Sequence, residues 1–298
     1  MSIINNFPDG AGSGGHIIVD FNGTEYTSRS KLKFGHGVIT DDPTNDTTLV
    51  EIDDSAEPIT LTSWAAGTNA EIAAILKASK DGDIDLYEDA GWRVGDERQV
   101  TLSAMAATGV GESHVEQTVT MVLVNKGGKY DSSNRECSFI MQPKNCLLET
   151  GYINDTGTNS GGWTSSARRT WCNNVYLNAL PSYISSYVMP VANKTSAGNQ
   201  STTINTDYDY CALPSSIEVG HRISASPYID EGTQWSYYTD NTTSRIKKVG
   251  DSGNACDWWL RSPWVGGTAN FCLVYDNGLA GGSNANVTYA LAPFCCIY

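Results

Sequence analysis

The chain has 298 residues, of which 40% are hydrophobic and 17% charged, with a formal net charge of −14. This allows one large globular domain or two modest ones, with a surface built from Asn, Ser, Thr, Gly and Tyr, the palette of adaptable recognition loops. The acidic balance disfavours nucleic-acid binding, because the basic pairs Arg168-Arg169 and Lys247-Lys248 do not extend into a patch, and no apolar run approaches the ~18 residues of a membrane span.

Met1 to Gly15 lacks the basic start and apolar core of a signal peptide and reads as a Gly- and Asn-rich, mobile lead-in. Residues 16–60 read as short strands. His16 to Phe21 is followed by the turn Asn22-Gly23 and then by Glu25-Tyr26-Thr27, a strong hairpin signal. The acidic, Thr-rich piece Asp41 to Asp54 reads as a boundary region. Residues 1–60 are thus expected to be a small β-rich attachment or oligomerisation segment, and residues 61–298 a separate domain.

A helix is predicted over Thr68 to Lys80, with Thr68 and Glu71 in capping-box register and Ile72, Ile75 and Leu76 on one face. Asp81-Gly82-Asp83 stops it, and a strand over Ile84 to Tyr87 follows. Val100 to Ser103 and Val119 to Val124 read as core strands, the second ended by Gly127-Gly128. A second helix begins near Ser165, with Ala167, Trp171 and Val175 on one face and Pro181 as its stop. A short third helix covers Ser182 to Val188. From Lys194 onward the chain is turn-rich, with short strands around Cys211 to Leu213 and Trp258 to Leu260. The fold class is α+β, with few helices, many short antiparallel strands and long loops.

Catalytic patterns fail on their spacing. Asp81, Asp83 and Asp85 alternate like a calcium loop, but Leu86 and Trp92 stand where that loop needs Gly and Glu. Ser113 follows Gly111, but Val115 stands where a nucleophile elbow needs its second Gly. In an extended chain His114 points away from Ser113. The four histidines show no metal-ligand spacing and no cysteine pair is CxxC. No catalytic residue, metal or cofactor is expected, and the cysteines read as buried thiols, with disulfides after release from a cell as the alternative.

The segment from Asp257 to Tyr298 is the most informative. Trp258-Trp259-Leu260-Arg261-Ser262-Pro263 opens it and Ala292-Pro293-Phe294-Cys295-Cys296-Ile297-Tyr298 closes it. Adjacent tryptophans on a strand anchor two different layers. Arg261 suits a buried strut whose planar donors take loop carbonyls, with a ligand contact as the alternative. Of the 28 residues between, Trp264 to Leu291, sixteen are Gly, Asn, Ser, Thr or Ala, and none is Lys, Arg, Glu, Gln, His or Met. A small-residue segment held between two packed strands is a display surface.

These blocks, with Phe271-Cys272, Val274, Gly278 and, upstream, Trp92 to Arg98, Gly109 to His114, Gly151 to Asn154, Gly161-Gly162-Trp163 and Leu213-Pro214-Ser215, resemble an uncharacterised domain family of bacteria and their phages. The arrangement also resembles the variable proteins of diversity-generating retroelements. That resemblance implies a C-type-lectin fold of the formylglycine-generating-enzyme-like subtype with a variable region near 264–291. Codons varied at adenines of AAC never yield Lys, Glu, Gln, Met or Trp, and Val265 to Leu291 contains none of these. Trp264 is then a constant position.

The resemblance implies Phe271, Cys272, Val274 and Phe294 as the inward scaffold. It implies ligand contacts from Val265, Gly267, Ala269, Leu273, Tyr275, Asp276, Asn277, Leu279, Gly282, Ser283, Asn284, Asn286, Val287, Thr288, Tyr289 and Leu291. The expected function is receptor binding or adhesion in a virion, at a tail or tail-fibre tip, or on a bacterial cell surface. The partner is a protein or glycan on a bacterial host, with no membrane insertion, and a homo-oligomer such as a trimer is compatible with this reading. Two alternatives remain. One is a conventional glycan-binding lectin module, for which Asp276, Asn277, Asn284 and Asn286 lack a Glu-Pro-Asn-type calcium motif. The other is an oxidase of the formylglycine-generating type using Cys272, Cys295 or Cys296.

Overall fold

The computed structural model describes the backbone of residues 2–6, 16–19, 25–29, 38–42 and 47–51, and then residues 59–82, 86–221, 230–239 and 242–298. The chain divides into two compact units, 1–60 and 61–298.

The described residues of the first unit form five strands: β1 (Ser2–Asn6), β2 (His16–Val19), β3 (Glu25–Arg29), β4 (Val38–Asp42) and β5 (Thr47–Glu51). β5 lies between β1 and β4, antiparallel to both. β2 and β3 pair antiparallel, as the flanks of Asn22-Gly23 predict; the turn itself lies outside the described residues. Two expectations change. Ser2–Asn6 is a paired strand rather than lead-in, and the acidic piece contributes β5 and the end of β4 rather than a boundary. Their Thr, Val and Ile content suits a pleated ladder.

The second unit is mostly β with few helices. It opens with helix α1 (Asn69–Gly82). The capping box forms: Thr68 N donates to Glu71 Oε2 at 2.7 Å, and Glu71 N to Thr68 Oγ1 at 3.3 Å. Ile72, Ile75 and Leu76 are fully buried. Asp83 and Asp85 lie outside the described residues. Leu86 to Gly91 is a turn, with Ala90 N donating to Leu86 O and Trp92 N to Tyr87 O, so Tyr87 is not in a strand. Instead its ring packs against Trp92 and Phe139 at centroid distances of 4.8 and 5.6 Å.

The strands that follow are β6 (Glu97–Leu102), β7 (Gln117–Lys126), β8 (Phe139–Pro143) and β9 (Thr150–Gly151). Gly127 and Gly128, both at positive φ, end β7. Helix α2 (Ala167–Trp171), N-capped by Ser166, runs through a π-turn (Cys172–Tyr176) into α3 (Leu177–Ala179). The π-turn rotates the buried face. Arg168, Trp171, Cys172, Tyr176 and Ala179 point inward, while Ala167 is exposed and Val175 half-buried, so the four-residue spacing read from the sequence picks the wrong stripe. The third predicted helix is one turn, α4 (Ser182–Ser185), and Val188 belongs to the next strand.

Next come β10 (Val188–Met189), β11 (Val191–Ser196), β12 (Ile204–Asp209), β13 (Cys211–Ala212), β14 (Lys247–Lys248) and β15 (Ala255–Cys256). β11 and β12 form a six-residue antiparallel hairpin where a turn-rich stretch was expected. Its inward residues are polar (Asn193, Thr195 and Ser196, all fully buried), which erased the apolar alternation that marks a strand. The last strands are β16 (Trp258–Pro263), β17 (Asn270–Val274), β18 (Ala280–Asn284), β19 (Tyr289–Ala290) and β20 (Phe294–Ile297).

Two sheets organise the unit. One runs β10-β20-β8-β7-β6, with β13 also on β20; the other runs β18-β17-β16-β19-β9. Every residue of β16 and β20 is buried. Among the described residues no helix is long and apolar enough to cross a membrane.

Candidate ligand-binding surface

The surface is built outward from β16. Trp258 and Trp259 are fully buried on opposite faces; their indole N–H groups donate to Arg245 O and Gly151 O, each at 3.0 Å. Arg261, also fully buried, is a strut. It donates to the carbonyls of Leu213 (3.0 Å) and Glu231 (2.9 Å), to Thr195 Oγ1 (3.2 Å), and with both terminal nitrogens to the Glu218 carboxylate. Glu218 also takes Lys129 Nζ at 2.7 Å. Burial works against ionising Glu218, but Arg261 and Lys129 outweigh it and hold the carboxyl down at about 2. Burial pushes neighbouring Glu231 up to about 7, against hydrogen bonds from Ser196 N and Ser262 Oγ.

Asn159, fully buried, fixes the loop that leaves β16. Its Nδ2 donates to Gly267 O and Asn270 O at 2.9 Å each, and more weakly to Trp264 O at 3.5 Å. Its Oδ1 accepts from Asn199 N at 2.7 Å. One amide thereby organises residues 264–270.

β17 and β18 form a hairpin closed by Asp276-Asn277-Gly278. Tyr275 N donates to Leu279 O and Gly278 N to Tyr275 O, with Gly278 at φ 82°, the three-residue turn that requires a left-handed last position. Asp257 Oδ1 accepts from Asp276 N, and Asn277 Oδ1 from Leu279 N. Beyond β18, Ala285 is buried and clamped: its N–H donates to Ala269 O, and its carbonyl accepts from Ile153 N and Asn154 N.

Within this frame the expected contact residues separate into three groups. Tyr275, Asp276, Asn277, Leu279, Asn284, Asn286, Val287 and Thr288 are exposed. Val265, Gly267, Ala269, Gly282, Ser283 and Tyr289 are half-buried. Leu273 and Leu291 are fully buried, which corrects their assignment as outward residues. Leu273 fails because both faces of β17 are covered, so its alternation with Phe271, Cys272 and Val274 has no solvent side. Leu291 lies past the sheet exit, where its carbonyl accepts from Leu147 N.

Three aromatic rings frame the exposed edge. Tyr275 rests on Gly281 and Trp264 on Gly282. Tyr289 stands edge-on to Trp259 at 5.0 Å and its hydroxyl lies 3.3 Å from Ser283 Oγ. The result is a neutral platform of amides, hydroxyls and tyrosine faces, hydrogen-bonding without formal charge apart from Asp276. Among the described residues no group of three or more His, Cys, Asp or Glu side chains is placed to hold a metal ion.

The sequence missed Asn159, Glu218 and Glu231. Glu218 had a visible signal: Ser215 and Glu218 form a capping box, with Ser215 N donating to Glu218 Oε2 and Glu218 N to Ser215 Oγ. Asn159 and Glu231 stand in polar stretches with no pattern to select them.

Residues 139–298 match the family model described as a domain of unknown function, DUF6273, and the chain belongs to that family. The match takes in the whole surface and the Arg261 strut; Trp92 to Arg98 and Gly109 to His114 precede it. No curated protein and no solved structure matches the chain.

Proposed function

We propose that this protein is a ligand-binding display protein with a C-type-lectin-like fold of the formylglycine-generating-enzyme-like subtype. Its surface over residues 264–291 is the recognition site and is open to diversification by a retroelement. The observation that carries the reading is the split within that segment. Buried Phe271, Cys272, Leu273, Val274 and Ala285 fix the backbone, while Tyr275, Asp276, Asn277, Leu279, Asn284, Asn286, Val287 and Thr288 are exposed to solvent. Side chains of that second kind can change without a packing penalty, and loops on a rigid scaffold are where binding residues concentrate. The context is a phage or prophage receptor-binding protein, whose ligand is a protein or glycan on a bacterial host. Residues 1–60 attach or oligomerise the module.

Sequencing sibling genes tests this directly. The reading requires substitutions concentrated at the exposed positions of 265–291, with Trp264, Leu273 and Leu291 constant. Substitutions spread evenly over residues 61–298 would defeat it. A conventional glycan-binding module is the second reading, favoured by the Tyr275 and Tyr289 faces among amides and hydroxyls. It calls for an invariant surface and a glycan-array signal shared by siblings.

A further inference from the structure

Eight thiols are present, all free and seven of them buried. Six stand in pairs. Cys211 and Cys295 face each other directly in the antiparallel β13–β20 ladder. Directly opposed residues of such a ladder have Cα atoms about 4.5–5.5 Å apart, inside the span a disulfide bridges. Burial and the neighbouring Cys295 thiol raise that of Cys211. Cys296 follows Cys295 on the strand and points to the other face. There its thiol meets that of Cys137, which Ser138 N holds beside β20 through a 2.9 Å bond to Ile297 O. Cys146 and Cys256 flank β14: Cys146 N donates to Lys248 O on one edge, Cys256 is paired with Lys247 on the other, and burial together with the neighbouring Cys256 thiol raises that of Cys146.

We propose that these six cysteines form three disulfides, Cys137–Cys296, Cys146–Cys256 and Cys211–Cys295, when the chain folds in an oxidising compartment. Cys172 and Cys272 remain as thiols. In each bridge two S–H bonds break and one S–S bond forms. The two protons and the two electrons go to an external disulfide such as oxidised glutathione, which is released as two glutathione thiols. A thiolate attacks that disulfide, and the partner thiol then displaces the second glutathione. Burial raises the thiols of Cys146, Cys211 and Cys296, and the fully closed fold shields them. The reaction therefore belongs to folding, before the sheets close. Two bridges staple β20 on both faces, to β13 and to the segment before β8. The third ties Cys146 to β15, directly ahead of Trp258. All eight cysteines are free in the present structure, so the fold itself does not require the bridges.

The test is to refold the full chain with a glutathione redox couple or with dithiothreitol. Each product is then alkylated in denaturant, with intact mass and non-reducing peptide mapping as readouts. The expected oxidised product has two alkylated cysteines, Cys172 and Cys272, three linked peptide pairs, and a higher denaturation midpoint than the reduced product. The variant Cys211→Ser should add Cys295 to the alkylated set. The same mapping on chain exported to an oxidising periplasm needs no refolding step. More than two alkylated cysteines in natively folded, oxidised protein, or any other pairing, overturns the proposal.

Discussion

The Tyr275 ring rests directly on Gly281, where a Cβ would overlap its Cζ and Cε2 atoms. Tyr275 is 39% exposed and sits on a hairpin turn, so the ring is free to move aside. Gly281→Ala should therefore cost less than about 1 kcal/mol of stability, as displacement of a mobile surface side chain does. It should nonetheless reshape the platform, and adsorption to a host that the wild type binds should fall at least several-fold. Urea unfolding and a cell-adsorption assay read the two effects separately. Unchanged adsorption would remove Tyr275 from the recognition surface.

Gly278 makes the opposite case. A Cβ there would collide with the Thr242 backbone carbonyl, and the residue holds a φ of 82°. Gly278→Ala should destabilise by about 2–3 kcal/mol, combining left-handed strain with a backbone clash. Gly278→Asn relieves only the first and should recover little. Denaturant midpoints of the three proteins check this.

Arg261 holds four groups, the Thr195 hydroxyl, the Leu213 and Glu231 carbonyls and the Glu218 carboxylate. Arg261→Met leaves Glu218 buried with Lys129 as its remaining cation and should cost about 3–5 kcal/mol. Arg261→Lys keeps the charge but loses the planar fork, and should retain only part of that stability. Chemical denaturation gives the magnitude. A loss below 1 kcal/mol would mean that the strut is dispensable.

The two buried glutamates give opposite pH dependences. Glu218 falls from an ordinary 4.5 to about 2, so its contribution is full above 4.5 and is lost as pH drops toward 2. Glu231 rises from 4.5 to about 7, so its contribution is full below 4.5 and is lost as pH climbs through 7. Glu149, raised by burial to about 7 despite Arg168 nearby, adds to the second trend. The carboxyls place the stability maximum near pH 4.5 to 5, each fully buried one contributing roughly 3 kcal/mol across its own limb, while His221, lowered by burial to about 4, partly offsets the fall between pH 4 and 6.5. Glu231→Gln should flatten the fall from acid to neutral pH and leave the acid limb intact. Unfolding midpoints across the range decide it, and a maximum at neutral pH would contradict the assignment.

Much of the frame was legible in local pattern. The Thr68–Glu71 box, the Gly127-Gly128 stop and the Trp258-Trp259 anchor are short-range features, and each forms as its chemistry requires. What escaped was non-local. Leu273 looked outward because a period of two assumes one wet face, and the second cover over β17 comes from elsewhere in the chain. The β11–β12 hairpin hid because its core side chains are amides and hydroxyls that Lys129, Asp209, Arg261 and the Ser201 carbonyl satisfy only after folding. The π-turn at Cys172–Tyr176 defeats any fixed helical period. The exposed positions 275–277 and 284–288 were the readable part of the site, because turn-forming and small residues declare themselves without partners.

β16 and β19 run parallel, with Trp258 beside Ala290 and Ala290 N donating to Asp257 O. The polypeptide thus leaves the display segment beside the first residue of β16, the strand whose last residue, Pro263, leads into it. Such a segment behaves as a cassette with both ends fixed on one strand. Its closure entropy grows only with the logarithm of its length, so each doubling adds about 0.6 kcal/mol. Residues inserted at the Asp276–Asn277 tip or the Asn286–Thr288 turn leave both fixed ends in place. This surface is therefore able to vary in size as well as in chemistry, and foreign loops grafted at those two points should inherit the same fixed ends.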